Sequence, residues 1–119
     1  MDNSEFSKIL ETRTKKFAIS IIGLSTSMRD TPENRVIKNQ VTKSGTSVGA
    51  NYREANRSRS KADFYNKIKI CESEASETVY WLEIIKDLKL VDSEKGQLVL
   101  TEANELLAIF TSITKKLKL

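Results

Sequence analysis

Two glycines, Gly45 and Gly49, stand inside a segment that otherwise reads as uninterrupted helix, and they constrain this chain more than anything else in it. The stretch from Lys43 to Arg57 has no proline and lies between two strongly helical segments. A glycine inside a helix costs about 1 kcal/mol relative to alanine. Close packing offsets such a cost: Gly45, Ser47, Gly49 and Ala50 give a face with almost no side chain, where another helix backbone can approach. Asn51 and Glu54 lie in the same stretch. If buried, they need hydrogen-bond partners, and they are then expected to fix helix register or a subunit contact.

Periodicity fills in the rest. Phe6, Leu10, Phe17, Ile21, Leu24 and Met28 recur at helical spacing and predict a first helix over about 4–28, started by Asn3 or Ser4. Thr31, Pro32 and Glu33 form a start signal for a second helix over about 33–56, with Ile37, Val41, Gly45, Val48, Tyr52 and Ala55 inward. Ser60 and Asp63 resemble a capping box opening a third helix over about 61–90. Its residues Phe64, Ile68, Cys71, Ala75, Thr78, Leu82 and Ile85 form a heptad seam. A second stripe, Tyr80, Trp81, Ile84 and Leu88, exceeds what one bundle helix needs and points to a subunit interface, where Trp and Tyr are enriched. Asp92–Gly96 reads as a turn, Leu98-Val99-Leu100 as a short extended piece, and Thr101 as the cap of a fourth helix over about 101–118. The fold expected is all-α: an up-down-up-down four-helix bundle forming a single domain over 1–119.

Composition excludes several chemistries. The chain holds no histidine, which removes Ser-His-Asp and Cys-His catalysis, histidine metal sites and histidine pH switching. Its single cysteine, Cys71, allows no internal disulfide and suits a reducing cytoplasm. No apolar run is long enough to span a membrane, and the polar N-terminus does not read as a signal peptide. Ser58-Arg59-Ser60-Lys61 matches Ser-x-x-Lys but lacks the companion motifs of that enzyme class, so capping accounts for the serines. Glu72, Glu74 and Glu77 read as a solvated face, and Cys71 as a small core residue. No catalytic residue, metal or cofactor is expected.

Charge is uneven. Residues 1–70 carry 14 basic and 7 acidic side chains; residues 71–119 carry 6 and 9. An up-down bundle gathers the start of helix one, the turn between helices two and three, and the end of helix four at one end. That end collects Arg53, Arg57, Arg59, Lys61, Lys115 and Lys116, with Lys15 and Lys16 as helpers on helix one. Cations at helix C-termini also answer the macrodipole, but arginines in such a group suit phosphate contacts.

The run Ser44-Gly45-Thr46-Ser47-Val48-Gly49-Ala50-Asn51-Tyr52-Arg53-Glu54-Ala55 resembles the central signature of the four-helix-bundle proteins encoded in intervening sequences of bacterial 23S ribosomal RNA genes. The likeness continues through Arg57, Ser60, Ala62-Asp63-Phe64, Lys67, Glu74-Ala75, Glu77-Thr78 and Tyr80-Trp81-Leu82-Glu83. It implies a homo-oligomeric ring, typically a pentamer, and kinship to the accessory variability protein of diversity-generating retroelements, a basic barrel that works with nucleic acid and a reverse transcriptase. It implies no enzymatic activity. Ser73 and Ser76 stand where many relatives are expected to carry basic residues, which lowers the charge of helix three. Two functions follow as expectations: a cytoplasmic homo-oligomer binding RNA or DNA through its basic end, or a scaffold ring docking a partner protein with nucleic acid incidental.

Overall fold

The structure, a computed structural model, describes residues 3–118. It contains α1 (Asn3–Thr26), α2 (Pro32–Ala55), α3 (Lys61–Asp87) and α4 (Ser93–Leu117), with no strand among the described residues. Sequence neighbours pack as spatial neighbours: α1 on α2, α2 on α3, and α3 on α4, while α4 returns to touch α1 over a shorter stretch. The result is a four-helix bundle about 44 Å long.

Local chemistry sets the helix starts. The Thr31 hydroxyl accepts the Asn34 N–H at 3.1 Å, with Pro32 in the first turn of α2. The Ser60 hydroxyl accepts the Asp63 N–H at 3.0 Å and opens α3. Two boundaries differ from the sequence expectation. Helix α4 begins at Ser93, so Leu98, Val99 and Leu100 are helical and not extended. Its cap is Asp92, whose carboxylate accepts the Lys95 N–H at 3.1 Å; Thr101 is an interior residue of the helix. Gly96, which looked like a turn residue, is buried in the first turn of α4, where an added Cβ would stand 3.1 Å from Val91 Cγ2. Helix α3 stops at Asp87, not at residue 90. Lys89 adopts the left-handed conformation (φ 54°), the Leu90 N–H donates to Ile85 O at 3.0 Å, and the Lys89 N–H donates to Lys86 O at 3.0 Å. That is a Schellman end with lysine where glycine is usual. Helix α1 likewise ends at Thr26, although Met28 remains buried beyond it.

The core runs along the bundle axis. Ile21, Val41, Ile68, Leu82, Leu106 and Phe110 are fully or nearly fully buried, and Tyr52 meets Phe110 edge to face at 5.6 Å between ring centroids. The two glycines of α2 face α1. A Cβ on Gly45 would lie 2.8 and 2.9 Å from the two γ-carbons of Ile21. A Cβ on Gly49 would lie 2.9 Å from Thr14 Oγ1 and 3.2 Å from the Thr14 backbone carbon. On the other side of α2, the buried hydroxyls of Ser44 and Thr78 are 2.9 Å apart, with Thr78 donating. Thr78 Oγ1 also lies 2.7 Å from Glu74 O, and Ser44 Oγ lies 3.4 Å from Val41 O. This pair couples α2 to α3 at one height.

Candidate nucleic-acid interface

The basic end forms from three chain segments. The α2–α3 turn carries Arg57 and Arg59, the start of α3 carries Lys61, and the last turn of α4 carries Lys115 and Lys116. Arg59, Lys61 and Phe64 share one surface depression with Leu117 of α4, so these segments meet at a common end. All five cations are exposed, and no carboxylate is paired with any of them among the described residues. Asp2, an acidic residue of the N-terminal segment, lies outside the described residues.

Arg53, in the last turn of α2 at the same end, differs from that group in having an acidic neighbour, while Lys15 and Lys16 lie further along α1. Arg53 lies 3.6 Å from the Glu11 carboxylate, which also accepts from the Asn56 amide at 2.8 Å. Arg53 and Lys15 line a groove of ≈ 320 Å³ between α1 and α2, and its floor is open because Gly49 and Ala50 carry so little side chain. Two acids, Glu11 and Glu54, line the same groove, so its charge is nearly balanced. Lys15 and Lys16 project from the middle of α1 and are exposed. As for the remaining residues picked out near the glycines, the Asn51 amide donates to Ser47 O at 2.9 Å and the Ser47 hydroxyl to Lys43 O at 2.6 Å, both within α2. Glu54 is exposed. Within the protomer the buried polar contact between helices is Ser44 with Thr78, about two turns before Asn51.

The second apolar stripe of α3 divides. Trp81 and Ile84 are half-buried against the core, whereas Tyr80 and Leu88 are 56% and 60% exposed. Tyr80 and Trp81 meet edge to face at 5.1 Å, and the indole N–H of Trp81 points to Glu77 at 3.4 Å. Ile70, 41% exposed, lengthens the stripe.

Sequence reading missed the polar clamp that closes the bundle. The Arg13 guanidinium donates to both carboxylate oxygens of Glu102 at 2.7 Å and to Glu105 at 2.7 Å, tying α1 to α4. These hydrogen bonds raise the guanidinium pKa above its ordinary value, against a smaller opposing effect of burial. The available signal was the i, i+3 spacing of two carboxylates on α4, which places both on one helix face.

Cys71 is fully buried, and burial pushes its thiol up to about 12. Glu74 is held above the usual carboxylate range by burial and by the neighbouring Glu77. No cluster of three or more metal-ligating side chains occurs among the described residues. No described helix is long and apolar enough to cross a membrane.

Comparison with known proteins agrees with this geometry. A crystal structure of a protein of unknown function from the S23 ribosomal protein family, from Bacteroides thetaiotaomicron, superposes with a TM-score of 0.81 at 34% identity. The match covers 88% of this chain and 97% of that one. No curated protein matches. Residues 9–112, nearly the whole bundle, match the family described as 23S rRNA-intervening sequence protein. The chain thus belongs to the 23S rRNA-intervening sequence protein family.

Proposed function

We propose that this protein is a non-catalytic, homo-oligomeric helical bundle, pentameric as the family resemblance implies, that binds structured RNA or another nucleic acid through its basic end. The observation that carries the reading is the convergence of Arg57, Arg59, Lys61, Lys115 and Lys116 at one end with no carboxylate paired to any of them among the described residues. Arginine forks engage phosphate oxygens two at a time, and repeating the group around an assembly multiplies the phosphates neutralised. Binding of a labelled structured RNA should then fall steeply with salt. Arg57→Glu with Arg59→Glu should weaken it at least tenfold in a folded protein; unchanged affinity in that double variant refutes the assignment.

A second reading has its own observation. Tyr80 and Leu88 expose apolar area on α3 that an isolated protomer leaves uncovered. Here the assembly is a scaffold that docks a partner protein, such as a reverse-transcriptase-like protein, and nucleic acid is incidental. Failure to bind RNA even at low salt, where the release of counterions favours binding most, together with a stoichiometric, nuclease-insensitive protein partner favours this reading.

A further inference from the structure

The depression at the basic end is not purely ionic. It has a volume of ≈ 290 Å³, opens where the α2–α3 turn meets the end of α4, and is lined by Ser58, Arg59, Lys61, Phe64 and Leu117 among others. Phe64 and Leu117 are half-buried and form its apolar part, while Arg59 and Lys61 are exposed. The acids nearest in the chain, Glu54 and Asp63, do not line it, nor does Glu5 at the start of α1. Ser58 Oγ, in the same wall, is buried without a hydrogen-bond partner, the one such side-chain atom among the described residues. Buried hydroxyls are ordinarily bonded. Turning this one about χ1 gives up no bond and offers it to a ligand in the depression.

The mixture of rings and cations continues along α3. Lys61, Tyr65 and Lys69 recur at steps of four on one helix face over about 12 Å, and Lys69 Nζ stands 5.5 Å from the centroid of the Tyr65 ring. Residues 57–69 carry Arg57, Arg59, Lys61, Lys67 and Lys69 against Asp63 alone. The sign then reverses. Glu72 and Glu77 line the next depression, which starts at Lys69 and faces Leu107 of α4, and no cation follows on α3 before Lys86. The positive track therefore has an end as well as a beginning.

An ion-only contact with a duplex uses the cations and leaves the ring idle, because the bases of a duplex are stacked on one another. An unpaired base uses both: its π-face stacks on an aromatic side chain while the flanking phosphates meet the cations, and every base offers such a face. In folded RNA, bases of this kind lie in loops, bulges and ends.

We infer that the depression receives an unpaired nucleotide, its base stacked on Phe64, its phosphates held by Arg59 and Lys61 with the Ser58 hydroxyl, and the strand continuing past Tyr65 to Lys69. The inference rests on the nucleic-acid reading above and deepens it: the part of a structured RNA that is recognised is single-stranded. A DNA strand shares the base and the phosphate and should bind comparably, since neither contact uses the 2′-hydroxyl.

Fluorescence anisotropy on purified full-length protein tests it, with a short labelled RNA oligonucleotide lacking self-complementarity, the same strand annealed to its complement, and the DNA strand of the same sequence. Wild type should prefer the single strand to the duplex by about tenfold or more. Phe64→Leu keeps an apolar side chain against the core and should remove that preference without changing the salt slope, because it removes no phosphate contact. Arg59→Glu should instead lower affinity for strand and duplex alike and flatten the slope. In Phe64→Trp, the single strand should quench indole emission beyond any change that Trp81 shows in wild type. A folded Phe64→Leu that binds the single strand as wild type does, or a Phe64→Trp that binds it without added quenching, overturns the stacking site and leaves the charge reading intact. Wild type that binds neither strand nor duplex at low salt overturns both.

Discussion

Alanine at the three glycines of α1 and α2 should give opposite signs on one bundle. At each site the substitution gains about 1 kcal/mol of intrinsic helix stability. At Gly45 the new methyl would stand 2.8 and 2.9 Å from both branches of Ile21, which is fully buried. At Gly49 it would stand 2.9 Å from Thr14 Oγ1, already bonded to Leu10 O at 2.9 Å, and 3.2 Å from backbone. Overpacking of this kind costs about 1–3 kcal/mol. Gly45→Ala and Gly49→Ala should therefore lose about 1 kcal/mol net, and more if α1 must shift. Gly23→Ala meets nothing in the protomer and should gain about 0.5–1 kcal/mol. With unfolding entropy near 2.1 cal/mol/K per residue, 1 kcal/mol corresponds to about 4 °C for a chain of this length. Urea denaturation at two protein concentrations measures all three, since any subunit contribution appears as a concentration dependence. If Gly45→Ala and Gly23→Ala shift stability the same way, the close approach of α1 and α2 is not what the glycines serve.

Thr78→Val should cost about 1–2 kcal/mol in denaturation midpoint analysis, because it leaves the buried Ser44 hydroxyl without its partner. Lys89→Gly should stabilise by roughly 0.5–1 kcal/mol by removing a left-handed non-glycine residue from the end of α3; a loss of thermal stability would contradict that account. Cys71 should resist iodoacetamide at pH 8 in the native state and react readily in urea. Its thiol is raised from 9.0 to about 12 on folding, so its contribution to stability is complete below about pH 9 and is lost as pH rises toward 12, which an alkaline denaturation series on wild type and Cys71→Ala would separate.

The bundle was legible in the sequence because its core faces repeat without interruption: Phe17, Ile21 and Leu24 on α1, and Ile68, Cys71, Ala75, Thr78 and Leu82 on α3, are buried where the spacing placed them. The boundaries were less legible where local chemistry departs from statistics. Lys89 occupies a position that glycine usually marks, so the run through Leu90 looked helical. Gly96 is buried for packing against Val91, so it looked like a turn. At the candidate site, the sequence identified which cations gather at one end, since topology alone brings those segments together. It did not reveal that Glu11 engages Arg53, or that Arg13 is held by Glu102 and Glu105, because these partners are 42, 89 and 92 positions apart and follow no local pattern.

That clamp also bears on how the molecule opens. Contacts between α1 and α2, α2 and α3, and α3 and α4 join elements adjacent in the chain, whereas Arg13 and Glu102 close a span of 89 residues. Closure entropy is greatest for the longest span and the reward is smallest there, since α1 and α4 touch over the shorter stretch. The seam between the first and last helices is then the final part to zip on folding and the first to part under thermal fluctuation. Native-state hydrogen exchange along α1 and α4 would register it as a lower opening free energy than that of α2 and α3.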